Sequence, residues 1–332
     1  MKQLFNILRI GLAIGLLIWL LAKVNIRESL VSMRNANPFY LLLTIICFFL
    51  LILVSVWRWK VILDEKSLSF SLSYLLTVYF ATWFFNNVLP TAIGGDVIRI
   101  IYTIKDNQKA QAFSATFVDR MIGFVGLFFF ALLASAWLLV VQNQTRFLIL
   151  NLVGFLILLV IIFILFNDRA HRFFSKIFQR IKVFRLGVFF DQLYDAIKDY
   201  RRKPKALLVS FLLSLLIQAI LALSWFYTGY AVGIRIAVSY YFLYCPIIGL
   251  LTMIPITIGG LGIRENSFVT FFGQVGVNSV QATSTSLLYL IVNYGYALVG
   301  GIVFVFLKKS KEKKESYDFT YSPTKPGECK TL

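Results

Sequence analysis

A ten-residue pattern, P-x-x-I-G-G-x-x-I-R, occurs twice in the sequence, at residues 90–99 and 255–264. The copies are 255 − 90 = 165 residues apart, about half of the 332-residue chain, and six of their ten positions are identical. Each copy follows a long apolar run and places a proline and a glycine pair where a helix would otherwise continue. Interrupted apolar segments at corresponding positions of two halves are typical of transporter binding sites. Two unrelated kinked helices are the alternative interpretation.

The composition indicates an integral membrane protein. Hydrophobic residues make up 59% of the chain and charged residues 14%, and the mean hydropathy is +0.80, whereas soluble proteins carry about 25% charged residues. The net charge is 33 − 15 = +18. In a soluble domain this charge would suggest nucleic acid. Here basic cytoplasmic loops and contact with anionic lipids explain it, so we expect no nucleic-acid partner.

The apolar runs predict an all-α, multi-pass membrane protein with about six full spans and two interrupted segments. The predicted full spans are residues 4–22, 39–57, 113–141, 147–166, 206–232 and 285–307. The interrupted segments are residues 70–104 and 238–275. At the end of the second span, the sequence Trp57-Arg58-Trp59-Lys60 is predicted to form an aromatic and basic anchor at the membrane interface.

The basic segments predict the topology. The start of the chain, residues 58–66, residues 167–205 and residues 308–332 are all basic and should be cytoplasmic. The number of crossings agrees with this assignment if each interrupted segment forms a re-entrant helical hairpin. The chain then has two units of span, hairpin and span, about 39–141 and 206–307, that start from opposite sides of the membrane. Such an arrangement is an inverted repeat, and hairpin limbs that cross fully are the alternative.

We therefore predict one transmembrane domain over residues 1–307 and a polar, basic, disordered cytoplasmic tail over residues 308–332. The segment 167–205 joins the two halves and holds eleven Lys or Arg residues against four Asp residues. Apolar residues recur in it at helical spacing, which favours a basic amphipathic helix on an anionic membrane surface. They are Phe173, Phe174, Ile177, Phe178, Ile181 and Phe184. An ordinary solvated loop is the alternative.

The glycine pairs of the two motifs predict an anion-binding site. A helix that starts after Gly94-Gly95 or Gly259-Gly260 presents unpaired backbone N–H groups and the positive end of its dipole. Arg99 and Arg264 follow about one turn into these helices. Backbone donors beside a guanidinium suit a phosphate or another oxyanion. The structural alternative for Arg99 is an ion pair with Asp96, three residues earlier.

Other polar residues flank the motifs within apolar surroundings. Asp119 and Arg120 are expected to pair with Arg99 or to line the entrance, and Glu265 is expected to counter Arg264 or carry a proton. Gln218 and Asn293 are more typical of hydrogen bonds between helices. The complete predicted substrate-binding set is Arg99, Arg264, Gly94, Gly95, Gly259, Gly260, Asn86, Asn87, Asp96, Asp119, Arg120 and Glu265.

Signatures of soluble catalysis are missing from the sequence. No G-x-x-x-x-G-K-[ST] pattern occurs, and the one histidine, His171, lies in the basic segment that joins the halves. Cys47, Cys245 and Cys329 have no disulfide or metal-site spacing. We expect no enzymatic activity, no cofactor and no metal.

Several of these residues together resemble the flippase-like membrane domain of lysylphosphatidylglycerol synthetases. The resemblance covers residues 4–307 and depends on Asn86-Asn87-Val88-Leu89-Pro90, Gly95-Asp96, Arg99, Asp119-Arg120, Pro255, Gly259-Gly260-Leu261-Gly262 and Glu265. It implies translocation of an anionic, aminoacylated or polyprenyl-phosphate-linked lipid across the cytoplasmic membrane. Asp119 departs from the family, in which a glutamate before the arginine is commoner. The aminoacyl-transferase domain of the bifunctional proteins is absent from this sequence, so lysyl transfer is not expected.

The resulting hypothesis is a flippase of the inner membrane that binds an anionic lipid headgroup through Arg99, Arg264 and the glycine-pair amides. Its two hairpins are expected to meet near the bilayer centre around a shared cavity. The expected partners are membrane lipids, and homo-oligomerisation is left open. Two alternatives remain: a membrane enzyme or subunit that modifies a lipid headgroup, and a small-anion transporter.

Overall fold

The computed structural model of the chain describes residues 26–88, 94–104, 108–142, 145–167, 194, 198–253 and 262–320. Every regular element in these ranges is helical, so the predicted all-α class is confirmed. The predicted span at 4–22, the pair Gly259-Gly260 and most of the segment 167–205 lie outside the described residues.

The elements follow the order expected from the apolar runs. The first part comprises α1 (Ile26–Arg34), α2 (Pro38–Asp64), α3 (Leu72–Val88), α4 (Gly94–Thr103), α5 (Lys109–Gln142) and α6 (Thr145–Phe166). After a 3-10 turn at Asp199–Arg202, the second part comprises α7 (Pro204–Ala231), α8 (Val238–Met253), α9 (Ile263–Gly273) and α10 (Ser279–Thr320). Both parts thus contain a series of a long helix, two shorter helices and a second long helix, α2 to α5 in the first part and α7 to α10 in the second.

Four helices are long and apolar enough to cross a membrane: Pro38–Asp64, Lys109–Val140, Pro204–Ala231 and Ser279–Leu307. They correspond to four of the predicted full spans, and α6 covers a fifth. Proline occupies the first helical position of both α2 and α7, where its missing N–H costs no helical hydrogen bond. Asn37 caps α2, because its Oδ1 accepts a hydrogen bond from the Phe39 N–H at 2.9 Å.

Helices α2 and α7 form an antiparallel pair at the centre of the bundle. The Asn37 N–H donates to the Ala231 carbonyl at 2.9 Å. Further along α2, the Thr44 and Thr228 hydroxyls lie 3.2 Å apart, and Arg58 Nη1 donates to Ser214 Oγ at 2.9 Å. Because the residue numbers rise along α2 while they fall along α7, the two helices run in opposite directions.

The remaining long helices each pack on a short helix of the other part. Helix α10 lies against α3, and α5 lies against α8. Gly300 lets α10 approach α3 closely, because a Cβ there would come within 2.0 Å of the Phe80 carbonyl oxygen. A polar link joins the same two helices: Asn293 accepts from Trp83 Nε1 at 3.1 Å and donates to Asn87 Oδ1 at 2.6 Å. This bond confirms the interhelical role predicted for Asn293.

Helices α3 and α4 form a hairpin. At one end, the Gly95 N–H donates to Asn86 Oδ1 near the end of α3. At the other, the Tyr74 hydroxyl donates to the Tyr102 carbonyl at 2.8 Å. Helix α4 therefore runs back along α3 and ends level with its first turn.

Helix α10 continues past residue 307, the predicted end of the last span, to Thr320. We expected disorder from residue 308 onward, and over 308–320 this expectation is wrong. Lysine and glutamate are good helix formers, and Lys308–Glu312 and Lys311–Glu315 have the (i, i+4) spacing that supports a helix.

Candidate functional site

Arg99 lies in the middle of α4 and is buried, with 4% of its surface exposed. Its Nη2 donates to Asp119 Oδ2 on α5 at 2.7 Å. Its Nη1 lies 3.7 Å from Asp96 Oδ1 on the same helix. The ion pair with Asp96 considered as the structural alternative is therefore present, but the shorter contact links the hairpin to a different helix.

Arg58 on α2 completes this charged cluster, and sequence reasoning missed it. Its Nε and Nη2 donate to the two carboxylate oxygens of Asp119 at 2.8 and 3.3 Å, and its Nη1 donates to Ser214 on α7. Asp119, only 1% exposed, thus accepts hydrogen bonds from two guanidinium groups. A carboxylate removed from water requires such compensation, because an unpaired buried charge is strongly unfavourable.

The predicted interfacial anchor at residues 57–60 is wrong for its two central residues. Trp59 is fully buried, and the Arg99 guanidinium carbon lies 4.3 Å from the centroid of its ring. This distance places a cation over an aromatic face. Trp57, by contrast, is 56% exposed. The helix continues to Asp64 instead of ending at 57, and the apolar residues Val61-Ile62-Leu63 that follow the anchor were the available signal.

Two glycines of α5 make room for these groups. A Cβ at Gly123 would lie 3.2 Å from Arg58 Nη1, and one at Gly126 would lie 2.7 Å from the Ser214 Cβ. The first distance shows that the guanidinium packs against the backbone of α5. The second shows that α5 and α7 are too close for a side chain between them at this level.

The first turn of α4 carries a second ion pair. Asp96 is 8% exposed and its Oδ2 lies 2.5 Å from Arg120 Nη1 on α5. Asp119 therefore pairs with Arg99, one of the two roles expected for it, whereas Arg120 pairs with Asp96, a contact that the sequence did not predict. Two ion pairs therefore fix α4 to α5. Arg99 of α4 pairs with Asp119 of α5, and Asp96 of α4 pairs with Arg120 of α5.

The residues at the break between α3 and α4 have local partners. A Cβ at Gly95 would come within 2.5 Å of both Asn86 Oδ1 and the Thr82 carbonyl, so only glycine fits there. The Gly95 N–H is not free for a ligand in this conformation, because it donates to Asn86 at 3.1 Å. Gly94 is buried at the start of α4. The side-chain amide of Asn87 donates a hydrogen bond to the Trp83 carbonyl of its own helix.

Arg264 in the second motif bonds within its own helix. Its Nε and Nη2 donate to Glu265 Oε1 at 3.1 and 2.9 Å. The other oxygen of Glu265 accepts the Gly262 N–H at 2.6 Å, and the Glu265 side chain is fully buried. Glu265 therefore counters Arg264, one of the two roles predicted for it. The ring of Tyr289 on α10 lies 5.9 Å from the Arg264 guanidinium carbon.

The two motif arginines have separate surroundings. The Arg99 cluster involves α2, α4, α5 and α7, whereas Tyr289 beside Arg264 stacks on Trp225 of α7 at 3.7 Å. The contacts of Arg99 and of Arg264 involve different residues and do not test the shared cavity, which stays a prediction. Gln218 was expected to bond between helices, but its Oε1 has no partner in the described ranges. These ranges also contain no group of three His, Cys, Asp or Glu residues suited to a metal ion.

Comparisons with known proteins match the chain over most of its length. A family model described as the lysylphosphatidylglycerol synthase TM region matches residues 6–300. A UPF0104 membrane protein of Pyrococcus horikoshii is 22% identical over 325 residues, which cover 91% of this chain and 96% of the relative. Another from Methanocaldococcus jannaschii is 23% identical over 319 residues, 89% of this chain and 93% of the relative.

Proposed function

This chain belongs to the lysylphosphatidylglycerol synthase transmembrane family, and we propose that it translocates an anionic or phosphate-linked lipid across the cytoplasmic membrane. The observation that carries the proposal is the buried cluster of Arg58, Arg99 and Asp119, in which the broken α3–α4 segment meets two long apolar helices. Ionisable residues within a membrane domain are costly and usually functional. Helix breaks at membrane depth are tolerated where they are buried in protein or line a polar route.

The proposal includes an inverted repeat. Its support is the packing: α2 and α7 are the first long helices of their units, and they run antiparallel. The other contacts agree with this symmetry. Helices α3 and α8 occupy the same position in their units, and so do α5 and α10. The contact of α3 with α10 therefore corresponds to the contact of α8 with α5, and both are present. Units related in this way allow a site to open alternately to the two sides of a membrane.

The short helices are proposed to be re-entrant. Helix α4 has ten residues, which at about 1.5 Å per residue is roughly 15 Å, half of a hydrocarbon core of about 30 Å. It ends beside Tyr74, in the first turn of α3, which supports a hairpin that enters and leaves on one side. Full crossing of both limbs would require a longer second limb.

In the proposed mechanism, the ion pairs hold the hairpin while no lipid is bound. A phosphate-bearing headgroup competes with Asp96 and Asp119 for the arginines, so binding changes which contacts hold α4 to α5. A ligand that alters these contacts favours one conformation over another, which is the requirement for ligand-coupled transport. The acyl or prenyl chains remain in the bilayer. Transport of this kind needs no catalytic residue, and we propose that the chain is not an enzyme.

A flipping assay tests the function. The purified chain is reconstituted into vesicles with tail-labelled fluorescent phosphatidylglycerol, and the fraction of label exposed to an external quencher is followed with time. We expect faster exchange than in protein-free vesicles, and at least a tenfold loss of rate in Arg99→Ala, since a charge-assisted hydrogen bond is worth about 1.5–3 kcal/mol. Arg235→Ala is the matched control, because Arg235 is exposed and its described contacts are with nearby carbonyls and the Tyr230 ring.

The same vesicles separate the two alternatives. Mass spectrometry of the recovered lipid detects any modified headgroup, and uptake of radiolabelled phosphate detects a solute transporter. Exchange no faster than in protein-free vesicles, for every anionic lipid tried, would reject the flippase. A mass change or phosphate uptake in that case would support the corresponding alternative.

A further inference from the structure

The two motif arginines differ at one atom. Arg264 Nε donates to Glu265 at 3.1 Å. The Nε of Arg99 is buried and has no hydrogen-bond partner in the described part of the chain. Because the arginines occupy the same position of the repeated motif, the first unit lacks a group that the second unit supplies.

That missing group can be identified from the repeat. Glu265 corresponds to residue 265 − 165 = 100 in the first motif, and residue 100 is isoleucine. The Ile100 side chain packs against the apolar cluster that contains Trp59, and it has no atom that could accept a hydrogen bond. The carboxylates near Arg99 contact its other nitrogens: Asp119 binds Nη2 and Asp96 lies near Nη1. The Nε edge of Arg99 therefore faces no carboxylate.

Trp59 provides a second unpartnered donor at the same place. Its ring lies 4.3 Å from the Arg99 guanidinium carbon, and its Nε1 is buried without a partner among the described residues. Most buried polar groups in proteins are hydrogen-bonded, and an N–H donor without a partner in a dry environment is unfavourable. Two such donors in one stacked pair indicate a site for an acceptor.

We propose that an oxyanion of the ligand, the phosphate of a lipid headgroup or a free phosphate, binds Arg99 Nε as the Glu265 carboxylate binds Arg264 Nε. Trp59 Nε1 is the second donor and selects for a phosphate oxygen. Glu265 then takes the place of the ligand in the second unit. The protein therefore has a single anion site, in the first unit, instead of one site in each unit. This inference rests on the proposed function, since it names the residues and the ligand chemistry of that same site.

The site is closed in this structure. Trp59 is fully buried and Arg99 is 4% exposed, so an anion reaches them only when the α3–α4 hairpin moves away from α2. Binding must therefore change the surroundings of the Trp59 indole, so the part of the tryptophan fluorescence change that Trp59→Phe abolishes reports occupancy, and thermal stabilisation measures the affinity of that variant.

The main test installs the substitute carboxylate in the first unit. In Ile100→Glu, a carboxylate follows Arg99 in the sequence, as Glu265 follows Arg264, and it adds a negative charge beside the proposed anion site. The purified full chain in detergent is titrated with dihexanoyl phosphatidylglycerol, and tryptophan fluorescence and thermal stabilisation are measured, since a ligand stabilises the state that it binds. We expect at least a tenfold loss of affinity in Ile100→Glu and a much smaller loss in the uncharged control Ile100→Gln.

Two milder variants keep the proposal testable if Ile100→Glu does not fold. Trp59→Phe retains an aromatic ring but removes the Nε1 donor, so we expect about a tenfold loss of affinity, in line with one charge-assisted hydrogen bond. Trp57→Phe is its matched control on the exposed side of the same helix. Glu265→Gln removes the built-in carboxylate, so the anion should bind at two sites per chain instead of one.

The probes distinguish the two sources of the anion. Binding of inorganic phosphate as tightly as of the short-chain lipid would assign the site to the phosphate group alone. Binding of the lipid only would assign it to a headgroup with its chains. Unchanged affinity in both Ile100→Glu and Trp59→Phe, or equal affinity for the zwitterionic dihexanoyl phosphatidylcholine, would overturn the inference. Unchanged affinity in these variants of a protein that flips lipid rejects this site alone, whereas loss of affinity in the variants of a protein that does not flip lipid rejects the transport function alone.

Discussion

In the first unit, Arg99 bonds across helices to α5 and shares its carboxylate with Arg58 of α2, whereas in the second unit Arg264 bonds to the next residue of its own helix. The surrounding framework is nevertheless the same. Trp59 and Trp225 are both the twenty-second residue of their helices, from 59 − 38 + 1 and 225 − 204 + 1. Asp119 and Tyr289 are both the eleventh, from 119 − 109 + 1 and 289 − 279 + 1.

The difference concerns what holds each short helix in place. Charged bonds between helices hold α4, while stacked aromatic rings surround α9: Phe268 lies 4.8 Å from Trp225 and 4.0 Å from Phe272. Ion pairs can be exchanged for a charged ligand, whereas a close-packed aromatic core offers no such exchange. We therefore expect the two halves to respond differently to matched substitutions.

The largest effect is expected from Asp119→Asn. This change leaves Arg58 and Arg99 facing each other without a carboxylate between them, and removal of one partner from a buried ion pair typically costs about 3–5 kcal/mol. The free energy of unfolding in detergent measures it. Tyr289→Phe, at the corresponding position of α10, removes only a hydroxyl and is the control. A smaller loss in Asp119→Asn than in Tyr289→Phe would contradict the charged origin of stability in the first unit.

Phe268→Ala tests the aromatic half. The side chain is fully buried between rings, and its loss leaves a cavity that we expect to cost about 2–4 kcal/mol. This substitution should lower thermal stability while the affinity of the first-unit site for phosphatidylglycerol stays within about twofold, because distant sites are usually independent. An affinity that falls as steeply as the stability would show that the two halves are not separable.

Gly95→Ala and Gly273→Ala compare the two hairpins at their glycines. A Cβ at Gly95 meets the Thr82 carbonyl and Asn86, whereas a Cβ at Gly273, the last residue of α9, has no atom within 4 Å. We expect Gly95→Ala to cost about 1–3 kcal/mol from overpacking and Gly273→Ala to be nearly neutral. Thermal unfolding of the two single variants, measured side by side, is sufficient. Equal midpoints would disprove the close packing of α3 on α4.

The smallest effect is expected where α2 ends, outside the membrane-spanning region. Lys66 donates to Asp199 at 2.8 Å, and this hydrogen bond lowers the pKa of the Asp199 carboxyl. Because the folded pKa is the lower one, the bridge stabilises the fold above the ordinary carboxyl pKa of about 4 and its contribution disappears as pH falls through the folded value. Asp199 is mostly exposed, so the gain is at most about 1 kcal/mol. In Asp199→Asn, the free energy of unfolding should therefore fall by at most about 1 kcal/mol at neutral pH and stay unchanged in acid below the folded pKa, which unfolding measured across this pH range checks.

Much of the candidate site was predictable because its signals are local. The glycine pair before Arg99 marked the start of a helix, and Asp119-Arg120 attracted attention as charges in an apolar run. Arg58 was missed because a basic and aromatic stretch at the end of an apolar run is typical of a membrane interface. Only the continuation of α2 to Asp64 and the packing of α5 against it bring Arg58 to Asp119.

The different partners of the two motif arginines, a residue of another helix for Arg99 and the next residue for Arg264, were harder to predict. Glu265 next to Arg264 was visible as a counter-charge, but neighbours in sequence on a helix do not usually face each other. Their pairing depends on the turn at Gly262, whose φ of +81° suits glycine and whose N–H binds the second carboxylate oxygen. Spacing along the chain does not determine such a turn, and it does not determine which helices of the two units pack together.

Polar side chains of the antiparallel pair α2 and α7 contact each other at two levels, Thr44 with Thr228 and Arg58 with Ser214. These levels are 58 − 44 = 14 residues apart on α2, or about 21 Å at 1.5 Å per residue. A tilt of one helix against the other, about a point midway between these two levels, moves the two levels in opposite directions. A tilt of about 10° around that point displaces each level by roughly 2 Å in opposite directions, over a half-length fixed by the helical rise. Such a displacement breaks a hydrogen bond of 3 Å at one level while it compresses the other, so the bonds of the pair oppose tilting in both directions.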